Sequence, residues 1–416
     1  MRLKRAWVVW AVVTWLAAST LWAAEIPSAR PEEVGLSSAR LAEMQAVARK
    51  MVDEREVAGI ITLVARKGKV CHFEAYGSRD LAAGKPIQRD TILRFYSMSK
   101  PVTSVAAMIL HEQGKVLLDE PVELYIPELR GWKVHAEDAQ GEPTTVEPGR
   151  KVTVRDLLRH TSGLTYGIFG DTPVDRMYRE KEVLSDIELK EMVKRLGEIP
   201  LLHQPGTTWH YSVSTDVLGH VIERASGQTL DVFFAQNIFK PLDMRDTGFY
   251  IPKDKHERFA VCYGPGSNGG LEPTNELGSY AFLEPRAFLS GGGGLVSTAR
   301  DYLRFCQMLL NKGRLDDVRI LRPETVEMMT RDQLPPGVSV GEGVGFGLGF
   351  SVRLKPDPSG GTRVGEYGWS GAASTFFAIS PDDESIVMLL TQYMPYSEKI
   401  PATLKPLVYA AFNGQN

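Results

Sequence analysis

The sequence predicts an α+β fold: an antiparallel sheet flanked by helices, with a mainly helical domain inserted into it. Three observations carry that reading. Strand-like apolar runs gather near both ends of the chain, amphipathic helical patterns fill the middle, and no internal repeat or low-complexity linker interrupts the 416 residues. The order strand, helix, strand brings both chain ends into one sheet. On that plan residues 30–92 and 287–416 build the sheet domain, 93–286 form the helical insertion, and 1–24 are a signal peptide.

Taken in order, Arg2, Lys4 and Arg5 precede an apolar run over 6–21, and Ala23-Ala24 offer small residues for cleavage before Glu25. This is a secretory pattern, and it places the protein in the periplasm or outside the cell. Leu21 or Trp22 stands where cleavage wants a small residue, so an uncleaved membrane anchor stays open as the alternative. No later stretch is apolar enough to span a bilayer, so no membrane partner is expected beyond this export signal. Leu41, Met44, Val47, Ala48 and Met51 then mark an amphipathic helix, followed by a hairpin of strands 60–66 and 70–76 turning at Lys67-Gly68. A second helix opens at Ser97, tolerates Pro101 in its first turn, carries Val102, Val105, Ala106, Ile109 and Leu110, and stops near Gly114.

In the middle, Ser185 and Glu188 read as a capping box before Leu189, Met192, Val193 and Leu196. Val217, Leu218, Val221 and Ile222 form another helix, which ends near Gly227. Gly291 to Gly294 make a tight turn, and Thr298 with Asp301 caps a helix through Tyr302, Leu303, Phe305, Met308 and Leu309. Strands return at 346–354, 375–379 and 386–391.

Composition narrows the chemistry. With 48 basic against 51 acidic residues, nothing points to nucleic acid. The three cysteines, Cys71, Cys262 and Cys306, are an odd number without metal spacing, so no disulfide framework is implied and at least one thiol is free and buried. The eight histidines never fall in an H-x-x-x-H or H-x-H arrangement, which speaks against zinc, and no metal is expected. The glycine-rich run 343–350 lacks a following helix to offer phosphate, so it reads as a small-residue strand.

The chemical signal is Ser97-Met98-Ser99-Lys100. Residues three apart share a helix face, which places a hydroxyl beside an amine. If Lys100 is partly buried its ammonium pKa falls, and the neutral amine can take the Ser97 proton; the helix N-terminus also favours an ionised serine. No histidine is then required. S-x-x-K alone is a weak signal that more often marks a capped surface helix, but two further elements follow, Tyr211-Ser212-Val213 and Trp369-Ser370-Gly371. His160-Thr161-Ser162-Gly163 invites a Ser/His reading, but sequence neighbours seldom align for proton transfer, so a packed turn is favoured. His210, beside Tyr211, reads as a supporting residue. The G-x-S-x-G elbow of another esterase architecture is absent.

Together these segments resemble the penicillin-recognising serine hydrolases, the group of class C β-lactamases, DD-peptidases and β-lactamase-like esterases. The resemblance runs through 94–103, 157–164, 205–227 and 291–298 in the order that family uses, and implies its β-lactamase/transpeptidase-like fold, with the site in a cleft between the two parts. Val213 stands where β-lactamases carry an asparagine, and Trp369-Ser370 where they carry Lys-Thr. Both departures look like the β-lactamase-like (family VIII) carboxylesterases, whose ester substrates need no cation to hold a carboxylate.

The resemblance implies that Ser97 attacks an ester carbonyl while Lys100 and Tyr211 share the roles of base and proton shuttle. It places the oxyanion on the backbone N–H groups of Ser97 and Ala372, and gives Trp369, Ser370, Gly371 and Val213 to substrate binding. The expected partner is a small-molecule ester, with no cofactor. The loops at 165–183 and 261–285 are where specificity is expected to reside. Three alternatives remain at this point: an acyl-transferring transesterase, a β-lactamase or DD-peptidase, and an inactive peptidoglycan-binding relative.

Overall fold

The computed structural model describes residues 25–278 and 281–412, so the export signal expected at 1–24 lies outside the described residues. No helix among the described residues is long and apolar enough to cross a membrane. Helix α1 (Ser38–Asp53) starts where the Ser37 hydroxyl accepts the Arg40 N–H, and buries Leu41, Met44, Ala48 and Met51 along one face. Strands β1 (Gly59–Arg66) and β2 (Lys69–Asp80) form the hairpin. Its turn residues Lys67 and Gly68 take φ +52° and +72°, the left-handed pair that matches the twist of the flanking strands. Strand β3 (Lys85–Pro86) closes that edge.

The middle of the chain holds α2 (Ser99–Glu112), α3 (Val154–Leu158), α4 (Pro173–Glu180), α5 (Leu189–Leu196) and α6 (Ser214–Ser226). Helix α7 (Ala299–Leu310) leads to β4 (Val344–Phe346), β5 (Ser351–Arg353), β6 (Tyr367–Gly371), β7 (Thr375–Ser380), β8 (Ser385–Leu390) and α8 (Lys399–Tyr409). The strands form one sheet of eight in the order β4-β5-β6-β7-β8-β1-β2-β3, every neighbour antiparallel. Strand β1, from the start of the chain, pairs with β8, from its end, with Ile61 opposite Leu390.

Both sheet faces are covered, which explains why β1 and β8 read as continuous apolar runs rather than alternating ones. Ile60, Val64, Val387 and Leu389 pack with α1 and α8; Ile61, Leu63, Met388 and Leu390 belong to the main core on the other face. There Tyr302 of α7 meets Phe377 of β7 with ring centroids 5.1 Å apart. That core runs without a break from the sheet into the helical region, joining Ile61 to Val105 of α2 and Val217 of α6.

Two local expectations are corrected. Ser185 caps no helix: its hydroxyl donates to the Glu182 carbonyl at 2.8 Å, and α5 begins at Leu189, with Glu188 itself as the cap. The single strand expected at 346–354 is a hairpin, because Gly349 at φ +99° turns the chain between β4 and β5. The Thr298 cap forms, its hydroxyl accepting the Asp301 N–H. Cys71, Cys262 and Cys306 are all buried free thiols.

Candidate active site

Ser97 lies in a 3-10 turn (Tyr96–Met98) directly before α2, rather than in the helix itself. Tyr96 takes φ +40°, a backbone region that bulky residues rarely adopt, so strain sits immediately before Ser97. Lys100, in the first turn of α2, is 2 % exposed. Its Nζ donates to Ser97 Oγ at 3.3 Å, to the Tyr166 hydroxyl at 2.8 Å and to the Gly292 carbonyl at 2.7 Å. An ammonium has three N–H groups, and here each finds an acceptor. The Tyr211 hydroxyl donates to Ser97 Oγ at 2.6 Å, and Lys100 Nζ lies 4.5 Å from the Tyr211 ring centroid. The structure thus brings Ser97, Lys100 and Tyr211 together as the sequence predicts.

Two contributors escaped the sequence reading. Tyr166 was not singled out, because its contact with Lys100 spans a long stretch of chain and leaves no local pattern. Burial, then Tyr211 and Asp216, push its phenol well above the usual range, so it stays a neutral hydroxyl. The glycine turn, which the sequence allows at the border of the pocket but which structure alone would explain, supplies the carbonyl that holds the Lys100 ammonium. Asp216 of α6 fixes that turn, accepting the Gly292 N–H at 3.0 Å and the Ser290 hydroxyl at 2.5 Å. Burial raises the Asp216 pKa, with the Lys100 charge opposing.

The third element is strand β6. A Cβ on Gly371 would lie 2.3 Å from the Phe95 carbonyl oxygen, so glycine is what lets β6 approach the Ser97 turn and set Ala372 beside Ser97. Trp369 is half-buried, its ring 5.6 Å from Tyr211 and 5.3 Å from Phe346. The Ser370 hydroxyl meets the Tyr396 hydroxyl at 3.0 Å. Val213 departs from expectation: it is fully buried in the main core and does not line the cleft, because an apolar side chain just ahead of α6 turns inward with Val217.

His160 and Ser162 do not face each other. His160 Nδ1 bonds Ser212 Oγ at 3.3 Å, while Ser162 Oγ bonds Ser214 Oγ at 2.7 Å, and Ser212 and Ser214 are joined at 2.7 Å. Burial, reinforced by the Lys100 charge, pushes the imidazole pKa well down, so His160 is a neutral brace 5.0 Å behind the Tyr211 ring. His210 Nε2 meets Thr165 Oγ1 at 3.2 Å, and Thr165 in turn donates to Asp175 at 2.6 Å, which steadies the segment carrying Tyr166.

Two largely apolar cavities meet at Ser97. One, of about 400 Å³, is walled by Phe249, Phe282 and Phe288; the other, of about 480 Å³, by Trp369, Met394 and Tyr396. Phe169 and Leu277, from the two loops expected to govern specificity, border both. Among the described residues no group of three or more His, Cys, Asp or Glu is placed to hold a metal ion.

A family model described as Beta-lactamase matches residues 44–407. Esterase EstB from Burkholderia gladioli is 34 % identical over 405 residues, covering 91 % of this chain and 98 % of that protein. Among solved structures, unliganded Simvastatin Synthase (LovD) from Aspergillus terreus, in selenomethionyl form, superposes with TM-score 0.78 at 26 % identity, covering 90 % of this chain and 99 % of its own. EstCE1, described as a hydrolase with promiscuous acyltransferase activity, superposes with TM-score 0.76 at 28 % identity, over 89 % and 99 % of the two chains.

Proposed function

The chain belongs to the Beta-lactamase family, on the side of its esterases and acyltransferases, and from that premise we propose that it is an exported carboxylesterase acting through an acyl-Ser97 intermediate. One observation carries the proposal: Ser97 lies within hydrogen-bonding reach of both Lys100 and Tyr211, beside a cleft whose third element offers Trp369 in place of a cation.

Ser97 Oγ attacks the ester carbonyl as its proton passes to the Tyr211 oxygen, which enters the step as a phenolate beside the Lys100 ammonium and leaves it as a phenol. The same groups return a proton to the departing alcohol, and water then releases the acid from Ser97. The backbone N–H groups of Ser97 and Ala372 receive the oxyanion, each contributing on the order of 3 kcal/mol to the barrier reduction. Tyr166, held neutral, orients the Lys100 ammonium rather than acting as a base.

A second reading, transfer of the acyl group to an alcohol, draws support from the two cavities that meet at Ser97, which leave room for an acyl chain and an acceptor together. The names of relatives point the same way, one an esterase and another a hydrolase with acyltransferase activity. The test is hydrolysis of p-nitrophenyl butyrate and of a chromogenic cephalosporin, side by side, by the wild type and Ser97→Ala. Ester turnover that disappears in Ser97→Ala, with little cephalosporin turnover, is the expected result. Dominant cephalosporin turnover moves the protein to the β-lactamases, and inactivity on both returns it to the peptidase or binding-protein alternatives.

A further inference from the structure

The cavity beside Trp369 has a chemical character that an uncharged ester does not require. Phe169, Tyr211, Trp369 and Tyr396 all line it, with the Tyr211 ring centroid 5.6 Å from Trp369 and 6.3 Å from Phe169. The remaining side chains at its mouth include Glu276 and Glu398, both exposed, and neither makes an ion pair among the described residues. The Tyr396 hydroxyl meets the Ser370 hydroxyl at 3.0 Å, which holds its ring in the cavity wall beside Glu398. No lysine or arginine is among the described residues that line this cavity. The neighbouring cavity differs, because its Arg286 is paired with Asp186 at 3.4 Å.

Aromatic faces present negative charge density, and a cluster of them attracts a cation that sheds its water easily. Carboxylates at the rim of a cleft extend that attraction outward into solvent. The cation of the catalytic group, Lys100, is not among the residues lining this cavity: its three N–H groups are taken up by Gly292, Tyr166 and Ser97, and its Nζ lies 4.5 Å from the Tyr211 ring centroid. A hydrophobic acyl chain would gain nothing from the two carboxylates, and an anionic group would be repelled by them.

We propose that the Trp369 cavity is a site for a quaternary ammonium or similarly bulky cationic group carried by the substrate. This rests on the esterase reading for its use in turnover, but the site itself is testable without it. Choline and 3,3-dimethylbutan-1-ol have the same shape, with nitrogen and its charge replaced by carbon in the second. Binding of each to the Ser97→Ala protein is measured by calorimetry, and p-nitrophenyl butyrate hydrolysis by the wild type is followed with each as inhibitor.

The expected result is that choline binds about tenfold tighter than its carbon analogue. The preference should shrink with added salt, since the carboxylates are exposed, and should fall in Trp369→Leu and in Glu276→Gln/Glu398→Gln while Trp369→Phe keeps most of it. Equal binding of the two alcohols, or tighter binding of the neutral one, overturns the proposal. The decisive comparison is between two ligands on one protein, so it does not depend on any pocket variant folding. If choline is preferred but p-nitrophenyl butyrate is not cleaved, the esterase reading falls and the cation site stands; if the ester is cleaved and choline is not preferred, the reverse holds.

Discussion

Each N–H group of Lys100 has its own acceptor, so the ammonium is held in one place, and the part played by each acceptor can be separated by substitution. Tyr166→Phe keeps the ring and removes one acceptor. It should lower kcat by about tenfold to a hundredfold and leave KM nearly unchanged, as steady-state kinetics on p-nitrophenyl butyrate would show. A second residue-scale prediction concerns His72, whose Nε2 meets Thr62 Oγ1 at 2.8 Å under α1. Burial pushes its pKa down to about 4. An unfolded histidine takes up its proton near pH 6.5, about where the folded one still refuses it. Between those values the unfolded chain binds more protons, so stability falls as pH falls through this window. Thermal unfolding should drop between pH 7 and about 4.5, and His72→Gln should flatten that slope.

Among the elements, β6 is the one on which the site depends most. Gly371→Ala would place a methyl 2.3 Å from the Phe95 carbonyl oxygen, a backbone atom that cannot swing aside. The strand would have to retreat and take Ala372 away from Ser97, so kcat should fall about a hundredfold while circular dichroism stays near that of the wild type. Elements with strong periodicity were legible in the sequence: α1, the β1–β2 hairpin, α2, α6, α7, β7 and β8 lie where their apolar spacing puts them. What was not legible lacked a side-chain pattern. Strand β6 (Tyr-Gly-Trp-Ser-Gly) alternates glycine with larger residues and shows no apolar period, so the sequence marked it as a motif ahead of a strand rather than as a strand itself. The Gly292 contribution is a backbone carbonyl, invisible in a list of side chains. Tyr166 reaches Lys100 only once α2 and the loop before α4 are packed together. Ser97, Lys100 and Tyr211 were readable because their motifs are short, local and ordered along the chain.

Across the whole molecule, the ends of the chain are tied to the sheet by a few buried polar contacts. Lys405 of α8 bonds Glu366, just ahead of β6, at 2.6 Å, and both are almost fully buried; Tyr409 donates to the same carboxylate. Removing one partner leaves a charge without compensation, so Glu366→Gln should cost about 3 kcal/mol in denaturant unfolding, whereas Glu366→Leu with Lys405→Met should recover most of that. The placement of β8 between β1 and β7 sets the timing of maturation as well as the shape of the sheet. A ribosome releases β1 and β2 first and β8 almost last, and at about 10 residues per second the hairpin waits roughly half a minute for its neighbour. During that interval Ile61 and Leu63 lack the strand that covers their edge, and neither Trp369 nor Ala372 has been made. The late strands thus complete the sheet and the Ser97 site together: the same stretch of chain that closes the edge of β1 also carries Trp369 and Ala372.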